Sequence, residues 1–392
     1  MSNLVRTGVI GVGWGRMHVE AYHACPDTVP VAICDANPER LAERRQQYGI
    51  TRGYSDYREL LEQPDIDAVS IALPNDMHVP VAIAALQAGK HVLCEKPPAI
   101  TGDAAAQIVA AAREYRRKLM VCFNYRYRPD AQWLKQLLDE GRFGRLYAVK
   151  TGWLRNSGIP NLGSWFTCKA QSGGGPLIDL GVHMLDLALW LLGYPAVQTV
   201  SAVSFAEFGP HGGKIYVRRS QVADPRPQPN APRPFDVEDM LMALIRFADG
   251  RALQLEVNWA THTSAGRDDY FLTLYGTAAG ADLYVANYAT TDTVTLHSDP
   301  GGVMSSTRPV FRQQSRISLP SGHDALVDHF ARCILDDLEP SPGGDEGVAL
   351  MRLIDAIYAS AQSGREVVVE RTKNEEQRTK NEEQRTKNEE RR

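Results

Sequence analysis

Across residues 4–124, short apolar runs and helix-like stretches take turns, and no other feature constrains the fold of this chain so tightly. Runs at 9–12, 29–34, 68–73, 91–94 and 119–123 have the length and composition of buried strands. Between them, 17–24, 38–48, 79–88 and 103–117 read as helices. Asn37 before Pro38 is a helix-start signal, Ser55 and Asp56 offer a cap for a short helix through Leu61, and Gly89 marks a stop. Alternation of this kind predicts a doubly wound parallel α/β sheet.

After about residue 125 the pattern changes. A helix at 130–140 precedes strand-like runs at 146–152, 199–206, 240–247, 252–259, 270–275 and 281–285, with Asp249-Gly250 as a hairpin signal. Helices at 323–336 and 345–363 and a closing strand at 367–369 complete an α+β domain with a large, mostly antiparallel sheet. The proline-rich stretch 209–234 reads as a long loop. From Arg371 a seven-residue unit repeats without any apolar position, so it cannot form a coiled-coil seam. The expected division is 1–124, 125–370 and a disordered charged tail at 371–392.

Composition excludes more than it selects. A chain of 392 residues, 43% hydrophobic and 23% charged, is long enough for two cores. A net charge of -4 gives no electrostatic case for nucleic acid or an anionic membrane. No uninterrupted apolar stretch reaches the roughly 18 residues a bilayer span needs. The amino terminus runs into a strand and turn rather than a signal peptide, so a cytoplasmic location is expected. The six cysteines form no CxxC pair and read as reduced structural thiols. No metal site is expected, since His18, His23 and His78 lack carboxylates at ligand spacing.

The first strand ends in Gly11, Gly13, Trp14, Gly15 and Arg16, a turn through which a backbone can approach a pyrophosphate. The spacing departs from G-x-G-x-x-G, because Arg16 occupies the third position and Gly15 comes one residue early. Asp35 ends the second strand, where a carboxylate accepts from ribose hydroxyls and repels a 2′-phosphate; NAD is therefore expected over NADP. Its other reading is a cap before Pro38. Pro74 and Asn75 leave the third long strand toward the same cleft, although Asn75 also suits a helix cap and His78 a helix start. Cys94, Glu95, Lys96 and Pro97 follow an apolar run, placing Lys96 at a strand's carboxyl end, where open α/β sheets bind ligands. Asp179 and His183 stand four apart in a helical stretch and so share a face.

Taken together, these passages resemble the glucose-fructose oxidoreductase, inositol dehydrogenase and rhizopine-catabolism (Gfo/Idh/MocA) family. The matching residues are Gly11 to His18, Pro74-Asn75 with His78, Glu95-Lys96-Pro97, Phe123 to Arg126, and Gly173 to Asp186 with Asp179 and His183. The resemblance covers roughly residues 4 to 369. It implies a Rossmann domain, then a domain whose mostly antiparallel sheet often pairs in dimers or tetramers. It also implies NAD(P)-dependent redox chemistry on sugars or cyclitols, with Lys96, Asp179 and His183 as the catalytic set and the turns at 11–16, Asp35, 74–78 and 95–96 facing cofactor.

The residue chemistry agrees with that set. Oxidation of an alcohol needs a base, and histidine has a suitable intrinsic pKa. Lys96 would stabilise alkoxide character, and Asp179 would orient Lys96 or bind a second hydroxyl. Arg126 reads either as a ligand contact or as a salt bridge between domains, and Trp165 either as a sugar-stacking wall or as core. Two other functions use the same features: NAD-assisted glycoside hydrolysis or elimination through transient sugar oxidation, and a non-catalytic dinucleotide sensor.

Overall fold

The computed structural model describes residues 4–213, 235–263, 268–311 and 322–369. Most of the proline-rich stretch, from 214 onward, and the repeat at 371–392 lie outside the described residues.

The first sheet is built by β1 (Val5–Ile10), β2 (Thr28–Cys34), β3 (Arg52–Tyr54), β4 (Ala68–Ile71), β5 (His91–Cys94) and β6 (Leu119–Val121). All pair in parallel, in the order β3-β2-β1-β4-β5-β6. Between them run α1 (Arg16–Ala24), α2 (Pro38–Tyr48), α3 (Tyr57–Leu61), α4 (Asn75–Gln87) and α5 (Gly102–Glu114). The strand order reverses between β1 and β4, and the crevice at their carboxyl ends is where such sheets take a dinucleotide. β4 is buried at all four residues, as a parallel strand covered on both faces must be. The capping signals behave as expected: Asn37 accepts from the amides of Glu39 and Arg40, both at 3.0 Å, and Asp56 accepts from Arg58.

The chain continues through α6 (Pro129–Asp139), β7 (Leu146–Leu154), α7 (Lys169–Ser172), a π-helical turn (Leu177–Gly181) and α8 (Val182–Leu192). Then come β8 (Val197–Phe205), β9 (Met240–Phe247), β10 (Ala252–Asn258), β11 (Asp269–Gly276), β12 (Ala279–Ala286), β13 (Val294–Ser298) and β14 (Ser305–Thr307). Helices α9 (His323–Leu335) and α10 (Gly344–Ser363) and strand β15 (Val367–Val368) close the described chain. The nine-stranded sheet, ordered β14-β13-β12-β11-β7-β10-β9-β8-β15, is antiparallel except between β7 and β10. Its inner face packs on α8 and α10; along β9 the buried Leu241, Ala243, Ile245 and Phe247 alternate with outward residues. The outer face leaves Tyr147, Val203, Phe205, Met242, Leu244, Tyr275 and Tyr284 exposed.

Four details differ from the sequence reading. β1 ends at Ile10 rather than at residue 12, because Gly11 already turns the chain at φ +88°. β3, β13 and β14 carry too few apolar residues to announce themselves. α4 starts at Asn75, four residues early, and runs through Pro80, whose ring made the start look later. The helical run Lys169–Leu192 does reach membrane-spanning length and apolarity, but 89% of its most apolar window is buried inside the fold, so it reads as a core helix.

Candidate active site

The glycine turn is as tight as its spacing suggests. A Cβ at Gly11 would stand 2.3 Å from the carbonyl oxygen of Ala72, and one at Gly15 would stand 2.4 Å from that of Gly11. Gly15 therefore faces inward as the packing glycine, and Arg16 opens α1 with its side chain 3.7 Å from Glu20. Gly13 meets only the guanidinium of Arg40, at ordinary contact distance. Trp14 is exposed at the rim. The amides of Gly13, Trp14 and Arg16 find no backbone partner among the described residues, which suits a helix start awaiting an anion.

Asp35 is buried and its carboxylate is fully engaged. It accepts from the amides of Val12 at 3.0 Å and Asn37 at 2.9 Å, and from Arg40 Nε at 2.9 Å and Nη2 at 3.1 Å. Four donors match the roughly four acceptor positions a carboxylate owns. Arg40 was not singled out in the sequence, though it lies just past the helix start.

Several expected cofactor contacts are turned elsewhere. Asn75 is not the cap of α4, which is Pro74; its amide donates to the carbonyl of Ser172 at 2.8 Å. His78 is fully buried, with Nδ1 2.7 Å from the Pro97 carbonyl and Nε2 2.9 Å from that of Leu73, so neither ring nitrogen is left for cofactor. Burial first, against the pull of those carbonyls, lowers its pKa. Glu95 also points inward: one oxygen accepts from His18 Nε2 at 2.8 Å and the other from the Lys96 amide at 3.0 Å. Burial alone would raise the Glu95 pKa; His18, His323 and Lys96 hold it well below the usual carboxylate range. His78 and Glu95 thus brace the turn that carries Lys96, whose bond to Pro97 is cis.

Behind this turn His18, Glu95, Cys122 and His323 place their donor atoms within 4.8 Å of one another, all buried. The His18–Glu95 contact at 2.8 Å is shorter than the separation of about 3.3 Å between two nitrogen or oxygen ligands of one tetrahedral zinc. Ser70 bonds His18 Nδ1 at 3.0 Å and meets Tyr22 at 2.7 Å. His18 thus has in Glu95 the carboxylate that its sequence neighbourhood lacks, and a hydrogen bond joins the two in this structure.

Lys96 and Asp179 meet just past the carboxyl end of β5, and the Lys96 charge is felt at His183. Lys96 Nζ donates to the carbonyl oxygen of Asp179 at 2.7 Å and stands 3.4 Å from its carboxylate. Asp179 lies in the π turn rather than in a regular α-helix, and such turns recur at functional sites. Its other carboxylate oxygen accepts from Trp259 Nε1 at 3.0 Å and lies 3.7 Å from Arg155. Burial would raise the Asp179 pKa, but Lys96, Arg155 and the Trp259 indole keep it below the usual carboxylate value. His183, at the start of α8, packs edge-on against Tyr125 at 4.7 Å, with Trp153 at 5.9 Å. Its Nδ1 is buried with no hydrogen-bond partner. Burial, then the charge of Lys96, puts its pKa well below the ordinary imidazole value.

Arg126 forms salt bridges, but within the second domain rather than between the domains. Its buried guanidinium pairs with Asp186 on α8 and Glu346 on α10 and donates to Tyr194. These partners engage both ends of its guanidinium. Trp165 stacks on Phe166 with ring centres 3.8 Å apart, in the loop before α7. Sequence reasoning missed Arg155 and Trp259, each just beyond a strand of the second sheet; that strand-end position was the available signal.

Residues 5–123 match the model of an oxidoreductase family with an NAD-binding Rossmann fold, and 135–369 match that family's C-terminal alpha/beta domain. The D-glucoside 3-dehydrogenase of Escherichia coli K12 is 30% identical over 368 residues, covering 93% of this chain and 98% of the relative. The levoglucosan dehydrogenase of Pseudarthrobacter phenanthrenivorans is 36% identical over 282 residues, covering 69% and 70%. Among solved structures, a levoglucosan dehydrogenase in complex with NADH and L-sorbose superposes with a TM-score of 0.81 at 28% identity, covering 95% of this chain and 100% of that one. The two sheets and the two matched segments leave one assignment: this chain belongs to the Gfo/Idh/MocA family of NAD-binding oxidoreductases.

Proposed function

We propose that the protein is an NAD-preferring dehydrogenase that oxidises a secondary hydroxyl of a sugar, glycoside or cyclitol, with Lys96, Asp179 and His183 as its catalytic residues. The carrying observation is Lys96 Nζ bound to Asp179 at the carboxyl end of β5, with its charge felt at His183, whose Nδ1 is buried without a partner. The turn from Gly11 to Arg16 would hold the pyrophosphate, with Pro74 lining the cleft. The nicotinamide, when bound, supplies the hydride acceptor.

The chain's own groups do the rest. Lys96, a cation 15% exposed, holds the reacting hydroxyl and favours its alkoxide character. His183, kept neutral by burial and by Lys96, takes the proton. Asp179 holds Lys96 chiefly through its main-chain carbonyl, and its carboxylate, kept ionised, accepts from a second hydroxyl. Trp259 holds the Asp179 carboxylate in place.

NAD is preferred because Asp35 occupies the ribose position, but Arg40 neutralises that carboxylate, so discrimination against a 2′-phosphate is modest. The exposed apolar residues on the outer face of the second sheet support a homodimer or homotetramer joined there. We divide the chain near residue 124, where the first sheet ends. Six free cysteines suit a reducing, cytoplasmic compartment.

The test is a screen of glycosides, anhydrosugars, free sugars and inositols, followed at the NADH absorbance with and without added NAD. Net NADH with an intact glycosidic bond supports the dehydrogenase. Glycoside cleavage without net NADH would replace it with transient oxidation and elimination.

A further inference from the structure

Arg155 follows the last residue of β7 and faces Oδ2 of Asp179, the carboxylate oxygen other than the one Lys96 faces. Its Nε is committed to the buried Asp268, and its guanidinium carbon stands 5.6 Å from the centre of the Trp153 ring. That anchoring fixes the plane of the fork and leaves the Nη end directed at Asp179. Nη1 stops 3.7 Å from Asp179 Oδ2, close enough for attraction and too far for a hydrogen bond. A gap of that width admits one oxygen within about 2.8 Å of both atoms, at an angle near a right angle. Oδ2 already accepts from Trp259 and retains one lone pair of its two. The side chain of Arg155 is 14% exposed and that of Asp179 is 17%, so neither is sealed off completely.

We propose that Arg155 is a specificity-determining residue that reads, together with Asp179, a hydroxyl on the carbon next to the one oxidised. Such a hydroxyl donates to Asp179 Oδ2 and accepts from Arg155 Nη1, while the reacting hydroxyl lies on the Lys96 side. A hydrogen in its place leaves the Nη1 hydrogen and the second lone pair of Oδ2 unbridged, and an ether oxygen leaves that lone pair without a donor. The site thereby selects vicinal diols, the common feature of pyranosides and cyclitols. This rests on the reading of Asp179 as a substrate-facing residue.

The test measures sugar binding to the NADH-loaded protein by calorimetry, so it needs no turnover. The probes are methyl β-D-glucopyranoside and its 2-deoxy, 3-deoxy and 4-deoxy analogues, which together include a neighbour of whichever of these ring carbons is oxidised. The wild-type protein should bind one deoxy analogue about tenfold or more weakly than the parent. Arg155→Lys, which keeps the charge beside Asp268 but loses the fork, should shrink that ratio to about threefold or less, with NADH affinity unchanged. Because Arg155→Met alone would take the guanidinium away from the buried Asp268, the double variant Arg155→Met/Asp268→Asn serves as the second test and should behave likewise. If the parent binds and the full ratio survives in both variants, or if no deoxy analogue is disfavoured in the wild type, Arg155 does not read that hydroxyl. If the parent glycoside does not bind the NADH-loaded protein at all, the glycoside reading falls and this inference falls with it.

Discussion

Lys96 Nζ binds the backbone carbonyl of Asp179 more closely than it binds the same residue's carboxylate, at 2.7 Å against 3.4 Å. The lysine is thus positioned by main chain at the π turn, and the carboxylate keeps room for another donor. It follows that Asp179→Asn should leave Lys96 nearly in place. Loss of turnover in that variant would report the missing charge rather than a displaced lysine, and an unchanged Lys96 position in its crystal structure would check the point.

His183 is the expected base, so His183→Ala should lower kcat by about a hundredfold or more while NADH affinity barely changes. The pH dependence has a definite sign. Burial and the Lys96 cation both disfavour the imidazolium, so the acid limb of the rate profile should fall below the ordinary histidine range of about 6.5. Removing the cation must move the titration upward. A histidine-selective NMR titration of Lys96→Met should therefore show a higher His183 pKa than in wild type. A downward or null shift would separate the two groups.

Trp259 carries a smaller share. It is fully buried and gives its indole hydrogen to Asp179. Trp259→Phe keeps most of the volume and removes that bond, which should cost about fivefold to thirtyfold in kcat/KM. A loss confined to stability, with kinetics intact, would mean that the indole only fills space.

How much of this was legible in the sequence depends on the kind of force involved. The parallel sheet showed through because strands buried on both faces must be continuous apolar runs, as in Ala68–Ile71. The strand-end position of Lys96 and the four-residue spacing of Asp179 and His183 are local features, but the meeting of Lys96 with Asp179 across 83 residues was implied only by the family resemblance. The fates of His78 and Glu95 did not, since their partners, Pro97 and His18, are decided by packing between elements. Arg155 and Trp259 converge on Asp179 from β7 and β10, a pairing of parallel strands about a hundred residues apart that no local pattern announces. The π turn was equally hidden, because its five residues are apolar and helix-compatible apart from Asp179 and Gly181.

Arg126 offers a test of structure alone. Its guanidinium sits between Asp186 and Glu346, both reaching it from helices of the second domain. Arg126→Met should destabilise the fold by about 3–5 kcal/mol, because it leaves the Asp186 carboxylate buried without its cation. Denaturant unfolding of the variant checks the magnitude. Sugar affinity in the folded fraction should stay near the wild-type value, and a selective loss of sugar binding would return Arg126 to the list of substrate contacts.

Cofactor choice turns on Asp35 and Arg40. The carboxylate is saturated by Val12, Asn37 and Arg40, so ribose hydroxyls can reach it only as the guanidinium gives way. The expected outcome is a larger kcat/KM for NAD than for NADP, by a modest factor. Asp35→Ala removes the acceptor for ribose and frees the Arg40 charge, so it should lower the NAD constant and raise the NADP constant together. Steady-state kinetics with both cofactors, supported by NADH and NADPH binding by tryptophan fluorescence, reads both changes. If Asp35→Ala weakens the two cofactors equally, the carboxylate serves the turn through Val12 and Asn37 and does not choose between them.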